Sequence, residues 1–388
     1  MELGIYSFGD VQRDPISGAL GSTAEAMRNL REAIALADAV GLDYFGVGEH
    51  HTYEMPASAG AVILASAASI TKRIKLGSAV TVLSTDDPVR VYQQFATLDA
   101  LSNGRAEITA GRGSSTESFP LFGYSLADYD ELYAEKLDLL LKINESNPVT
   151  WRGKHRPPLE NAWVVPRPER GRLPIWLGTG GNPHSSMRAG YLGLPISYGI
   201  IGGQPKRFAP LAELYRRAAR EAGFPEANIK VSVASPGFIG DDAKAAKDLW
   251  SRHWIALMAS IGEVRGFAPP SRAQFDHDAN RDGALFVGDP EEIAERIVAL
   301  HKKLGHMRQF FQMDVGHLPQ KEFLHAIELL GTKVKPLVDA ELRVTDSHQE
   351  AVNCGNPIRT VGILEATRVG TADELVGVKS IPGPRRQQ

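Results

Sequence analysis

Three short runs hold residue types that could do chemistry. Glu49-His50-His51 sets a carboxyl group and two imidazoles in succession after the apolar run Tyr44-Phe45-Gly46-Val47-Gly48, which reads as a strand. An imidazole titrates near neutral pH, so a histidine at a strand end can move a proton, with Glu49 orienting or charging its neighbour. Successive strand residues face opposite sides, so adjacent histidines do not converge on one ion as a His-x-His pair would, and no metal is expected. A hydrogen-bonded pair in a loop is the competing reading. Gly111-Arg112-Gly113-Ser114-Ser115 puts a guanidinium between glycines and ahead of two hydroxyls. That pattern suits an anion, because the backbone can approach it closely and arginine gives a forked contact. A salt bridge from Arg112 to a nearby carboxylate is the alternative. Gly178-Thr179-Gly180-Gly181-Asn182-Pro183 is a glycine turn feeding a helix N-terminus, a phosphate-binding arrangement in its own right.

The elements that must position these runs alternate along the chain. Strands are expected over residues 3–8, 44–48, 76–83, 104–110, 175–177, 195–201, 229–239 and 309–313. Helical spacing recurs between them, as in Met27, Leu30, Ile34, Ala37 and Val40. Asp87-Pro88, Asn182-Pro183 and Asp289-Pro290 each offer a capping side chain followed by a proline in the first turn. About eight strands alternating with helices predict a (β/α)₈ TIM barrel, in which catalytic groups gather at the strand C-termini. A doubly wound open sheet ranks second, since no glycine-rich dinucleotide turn follows the first strand. Two insertions interrupt the pattern after strands 4 and 7. The first, residues 144–173, is Pro-rich and hairpin-like. The second, residues 241–283, carries Trp250 and Trp254 and is either a lid or a rim insertion. The barrel is assigned to residues 1–344, and residues 345–388 to a C-terminal tail that is weakly packed or used in subunit contacts.

Composition narrows the function classes. The 388 residues carry 43 Lys+Arg against 46 Asp+Glu, a net charge of −3, which gives no field for a nucleic acid. Cys354 is the single cysteine, so neither an intrachain disulfide nor a cysteine metal cluster is available. No signal peptide and no membrane-spanning run is read, so a cytoplasmic protein is expected.

Taken in order, these motifs are familiar. Glu49-His50-His51, Ser78-Ala79-Val80-Thr81-Val82-Leu83 with Pro88-Val89-Arg90, Leu101-Ser102-Asn103-Gly104-Arg105 leading to Gly111-Arg112-Gly113, and Gly193-Leu194-Pro195 with Ile200-Ile201-Gly202 together resemble the bacterial luciferase-like flavin monooxygenase family. The resemblance runs from Glu2 to about Val338, and is nearest to the non-luminescent monooxygenase-like members. It implies a (β/α)₈ barrel with reduced flavin mononucleotide (FMN) at its C-terminal mouth, usually in a homodimer. By motif it implies a cis Ala79-Val80 bond supporting the isoalloxazine ring, Gly111 near the ring carbon that meets oxygen, and Arg112 on the phosphate. Gly181, Asn182 and Ser185 fall where the remaining phosphate contacts belong, with Gly180 in the same cofactor-binding turn, and His50 matches the catalytic base. Gly199 stands where the luciferases carry a bulky aromatic, so light emission is not expected.

The function this implies is a flavin-dependent monooxygenase. It would use reduced FMN and dioxygen to oxygenate a small organic substrate, an aldehyde or ketone among the candidates. The flavin would be reduced by a separate reductase, because no dinucleotide fingerprint is present in the chain. Three other readings stay open: a non-catalytic flavin-binding barrel, a deazaflavin (F420)-dependent oxidoreductase, and a metal-dependent hydrolase using His50, His51 and a carboxylate.

Overall fold

The computed structural model describes residues 1–14, 16–113 and 116–354. Strand β1 (Glu2–Ser7) leads to helix α1 (Thr23–Ala39), β2 (Tyr44–Val47), α2 (Gly60–Ala68), β3 (Lys75–Ser78), β4 (Thr81–Val82), α3 (Pro88–Ser102) and β5 (Ala106–Gly111). Then follow α4 (Ser118–Leu121), α5 (Tyr129–Glu145), β6 (Val149–Trp151), β7 (Leu159–Ala162), β8 (Ile175–Thr179), α6 (Pro183–Tyr191), β9 (Ile196–Gly199) and α7 (Ala209–Glu221). The last part holds β10 (Val231–Ile239), α8 (Ala243–Arg265), α9 (Arg272–Asp278), β11 (Phe286–Gly288), α10 (Pro290–Leu304), β12 (Arg308–Gln312), α11 (Gln320–Leu329) and α12 (Lys335–Cys354).

Eight parallel strands close on themselves in the order β10, β12, β1, β2, β3, β5, β8, β9 and back to β10. Strand residues alternate between two cores. Leu3 and Ile5 face outward into the layer shared with the helices, while Tyr6, Tyr44, Ala79 and Phe310 form a separate cluster inside the barrel. A packed interior leaves the mouth as the place for a ligand. At the opposite end, Arg308 is inside with its guanidinium 2.6 Å from Glu107 Oε2 and from Glu2 Oε2, and it lies over the rings of Tyr44 and Trp176. Lys75 pairs with Glu2 in the same network.

The expected caps form. Asp87 accepts from the Val89 N–H at 2.8 Å, Asn182 from the His184 N–H at 2.8 Å and Asp289 from the Glu292 N–H at 2.8 Å. One expectation is corrected: residues 76–83 are not one strand. The chain leaves the sheet after Ser78, passes through a cis Ala79-Val80 bond and resumes as the two-residue β4. Strand β11, which pairs with the end of β10, was not anticipated, because its three residues are too few to show a period. The first insertion contains the antiparallel β6–β7 hairpin. In the second, Trp250 and Trp254 are buried and stacked, and Trp250 Nε1 donates to the Met313 carbonyl, so this part of α8 packs on the barrel rim. Helix α12 runs past the expected end of the barrel at residue 344, and residues 355–388 of the expected tail lie outside the described residues. No described helix is long and apolar enough to cross a membrane.

Candidate active site

The floor of the mouth is the Ala79-Val80 unit. Ala79 belongs to the buried cluster with Tyr6, Tyr44 and Phe310. Two glycines allow the backbone on either side to close in. A Cβ on Gly111 would come within 2.5 Å of Val80 Cγ2, and one on Gly48 within 2.1 Å of the Phe8 ring and 2.7 Å of the Ala79 carbonyl oxygen. Both residues sit at strand ends, where the sheet hands over to functional loops.

His50 lies three residues beyond the end of β2. Its Nδ1 is 2.7 Å from Glu117 Oε1, and its ring meets Phe8 edge-on with centroids 4.5 Å apart. Burial resists ionisation of Glu117. The hydrogen bond and charge of His50, with the N–H groups of Glu117 and His51, outweigh that and hold its carboxyl at about 2. Glu49 does not orient His50, contrary to the sequence expectation. Its Oε1 is 3.0 Å from His51 Nε2, and its Oε2 accepts the Val82 N–H at 2.9 Å. The chain has already left β2 at Val47, and in the segment beyond it His50 is turned to Phe8 and Glu117 while Glu49 and His51 pair with each other on the flank beside Val82. There Glu49 and Asp86 line a cavity of about 120 Å³ between the start of α2 and the body of α3, and burial pushes both carboxyls up. Sequence reasoning missed Glu117, which belongs to no motif. The available signal was its place five residues beyond Arg112, on the loop that leaves β5.

His50 and His51 thus serve different carboxylates and do not share a point. Among the described residues, Asp128, Glu131 and His155 are the three-residue group whose ligand atoms lie within 4.8 Å of one another, and there Lys154 Nζ already bonds both oxygens of Glu131.

The two anion-adapted strand ends are neighbours. Strand β5 pairs with β8 through Ala110 and Leu177, which places Arg112 beside the Gly180-Gly181 turn. Arg112 lies over the Tyr129 ring at 5.5 Å and pairs with Asp130 at 2.5 Å, while Tyr129 donates to the Gly113 carbonyl. Asp130 is 80% exposed, so this pair is a weak one that an incoming anion can displace. Gly181 has φ +99°, a left-handed conformation that suits glycine, and a Cβ there would strike the Phe208 ring at 2.8 Å. Asn182 caps α6 and also receives the Ser185 N–H at 3.3 Å. Ser114 and Ser115 lie outside the described residues. Around this rim the Cβ directions of Gly180, Gly199 and Gly202 are open, with nothing nearer than 3.9 Å. An apolar floor, an open glycine rim and an arginine with a displaceable partner fit a planar cofactor bearing a phosphate.

Residues 1–307 match the family model described as luciferase-like monooxygenase. The chain belongs to the luciferase-like monooxygenase family. Among the relatives of this luciferase-like chain, an uncharacterized protein, y4vJ, of Sinorhizobium fredii is 25% identical over 83% of this chain and 94% of its own. Limonene 1,2-monooxygenase of Rhodococcus erythropolis is 25% identical over 80% and 81%. The fold recurs in the monooxygenase RslO1 of Streptomyces bottropensis, with TM-score 0.72, 20% identity and coverage of 87% and 99%. It recurs in the oxygenating constituent of 3,6-diketocamphane monooxygenase of Pseudomonas putida in complex with FMN, with TM-score 0.69, 21% identity and coverage of 87% and 98%. The coenzyme F420-dependent tetrahydromethanopterin reductase of Methanopyrus kandleri also has this luciferase-like barrel, with TM-score 0.61, 22% identity and coverage of 86% and 98%.

Proposed function

We propose that this luciferase-like chain is a monooxygenase that binds reduced FMN and, with dioxygen, oxygenates a small organic substrate, working as a homodimer supplied by a separate flavin reductase. The observation that carries this reading is the adjacency of Arg112 and the Gly180-Gly181 turn on one rim, beside the cis Ala79-Val80 floor. Bound reduced FMN supplies the two electrons with which dioxygen delivers one atom to the substrate and leaves the other as water. The protein does the rest. Arg112 exchanges Asp130 for the phosphate, with Asn182, Ser185 and the start of α6 beside it. Ala79, Val80 and Gly111 would support the flavin ring, and Phe8 would keep water from the floor. His50 moves the proton that the oxygenation requires. Glu49 and His51 brace the segment that carries Val82 rather than touching the reacting atoms.

A titration of the purified protein with FMN, riboflavin and F420, followed by absorbance, tests the reading. FMN is expected to bind best, and Arg112→Ala to weaken FMN about 10- to 100-fold while changing riboflavin little, as the loss of one charged phosphate contact predicts. An equal loss for FMN and riboflavin rejects the phosphate assignment. Tight F420 binding with none for FMN selects the deazaflavin reading, which the similarity to the F420-dependent reductase fold favours as the second choice.

A further inference from the structure

We propose that Glu117 is the positioning residue of His50, fixing the hydrogen of its ring on Nδ1 so that Nε2 is the nitrogen that gives or takes the proton. This rests on the reading of His50 as the proton-moving group. An ionised carboxylate can only accept, so the short contact between Glu117 Oε1 and His50 Nδ1 requires a hydrogen on Nδ1. In the neutral ring the lone pair must then sit on Nε2. Without such a partner, a neutral imidazole has no fixed tautomer at this site. Glu49, the nearer carboxylate in sequence, is already committed to His51 and Val82.

The ring is also held mechanically. Phe8 of the β1 end meets it edge-on at an interplanar angle of 88°, and the His50 N–H bonds the Ala57 carbonyl at 3.3 Å. Glu117 approaches from a third element. It immediately precedes α4, whose Phe119 is fully buried and stacks on Tyr129 with centroids 5.6 Å apart. Phe122, just after α4, packs on the ring of His51. Tyr129 is the same ring that lies under Arg112. The carboxylate that sets the tautomer and the arginine assigned to the phosphate are therefore anchored on one aromatic side chain. Among the described residues the titratable partner of His50 is Glu117, just before α4, while on its own segment Glu49 and His51 satisfy each other.

The test is a long-range proton–nitrogen spectrum of the full-length chain labelled with 15N-histidine, with the His50 signals identified by their loss in His50→Gln. In the wild type the neutral His50 ring is expected to carry its hydrogen on Nδ1. In Glu117→Ala, which leaves no acceptor opposite Nδ1, the hydrogen is expected to move toward Nε2. Glu117→Asp, which restores a carboxylate, should recover part of the Nδ1 tautomer. Turnover with reduced FMN should fall about tenfold in Glu117→Ala, with KM and FMN affinity unchanged within about twofold. An unchanged His50 tautomer in folded Glu117→Ala overturns the proposal whatever turnover does. A moved tautomer with unchanged turnover upholds the positioning by Glu117 and removes His50 from the chemistry, so the two readings fail separately.

Discussion

At His50 one ring nitrogen decides what the residue can do, because the other is taken by Glu117. His50→Gln is expected to lower turnover about 10²- to 10⁴-fold, the usual range for a general acid or base, while FMN affinity stays within about threefold. Rapid-mixing kinetics with reduced FMN, set beside a binding titration, separate the two effects, and an undiminished rate removes His50 from the mechanism. Gly111 makes a different demand. A methyl group there would lie 2.5 Å from Val80 Cγ2, inside any real contact. Gly111→Ala must therefore push the Ala79-Val80 unit away, at a cost of about 1 to 3 kcal/mol. A lower Tm together with weaker FMN binding is expected, and unchanged values for both would show that the floor can yield. The types of these residues were legible in the sequence. Glu117 was not, because its partnership spans 67 residues and depends on where α4 is laid down.

At the scale of elements, strands β1, β3, β5 and β12 are tied at the end of the barrel away from the mouth by Glu2, Lys75, Glu107 and Arg308. Arg308 is 3% exposed, and the neighbouring carboxylates and the Tyr44 ring hold its guanidinium proton against the cost of burial. Glu107→Ala leaves that charge half paired, which costs about 3 to 5 kcal/mol when one member of a buried pair is removed. Thermal unfolding should show the loss, while FMN affinity, set at the other end, should hold. A stability change below about 1 kcal/mol would mean that Glu2 alone satisfies the arginine. Helix starts were readable because Asp-Pro and Asn-Pro pairs act locally. The break in the third strand was not readable from periodicity, since an apolar run looks alike whether or not it stays in the sheet; the family resemblance was what pointed to Ala79-Val80.

Across the whole molecule, the loops after β1 and β12 are joined by a buried acidic pair. The Ser7 hydroxyl donates to Asp314, and the Gly316 N–H donates to Asp10 Oδ2 at 3.2 Å. One oxygen of each carboxyl has no hydrogen-bond partner. Burial raises both groups, Asp314 to about 7, and the neighbouring Asp314 adds to the rise at Asp10. The sign follows from linkage. An unfolded aspartate releases its proton near pH ~4. Between there and about 7 the folded chain keeps a proton that the unfolded chain has lost, so stability falls as pH rises through this window, and the full penalty is present above it. Asp314→Asn keeps an acceptor for Ser7 and removes the charge. Its Tm relative to the wild type should therefore climb between pH 5 and pH 8, by about 1 to 3 degrees if about 1 to 2 kcal/mol is recovered. A constant difference across that range would show that Asp314 is not the group that titrates.

The sequence by itself determined what is local or periodic: the alternation of strands and helices, the capped helix starts, the glycine turns, and the ordered motifs that mark the luciferase-like family. These depend on neighbours within a turn or a strand, so the residue order contains them. Only the tertiary structure decided which carboxylate serves which histidine, that β11 adds to β10, and that Asp10 and Asp314 are buried together. Closing the barrel brings the first and last strands together across more than 300 residues, as between Ser7 and Asp314, and no local pattern encodes a contact of that reach.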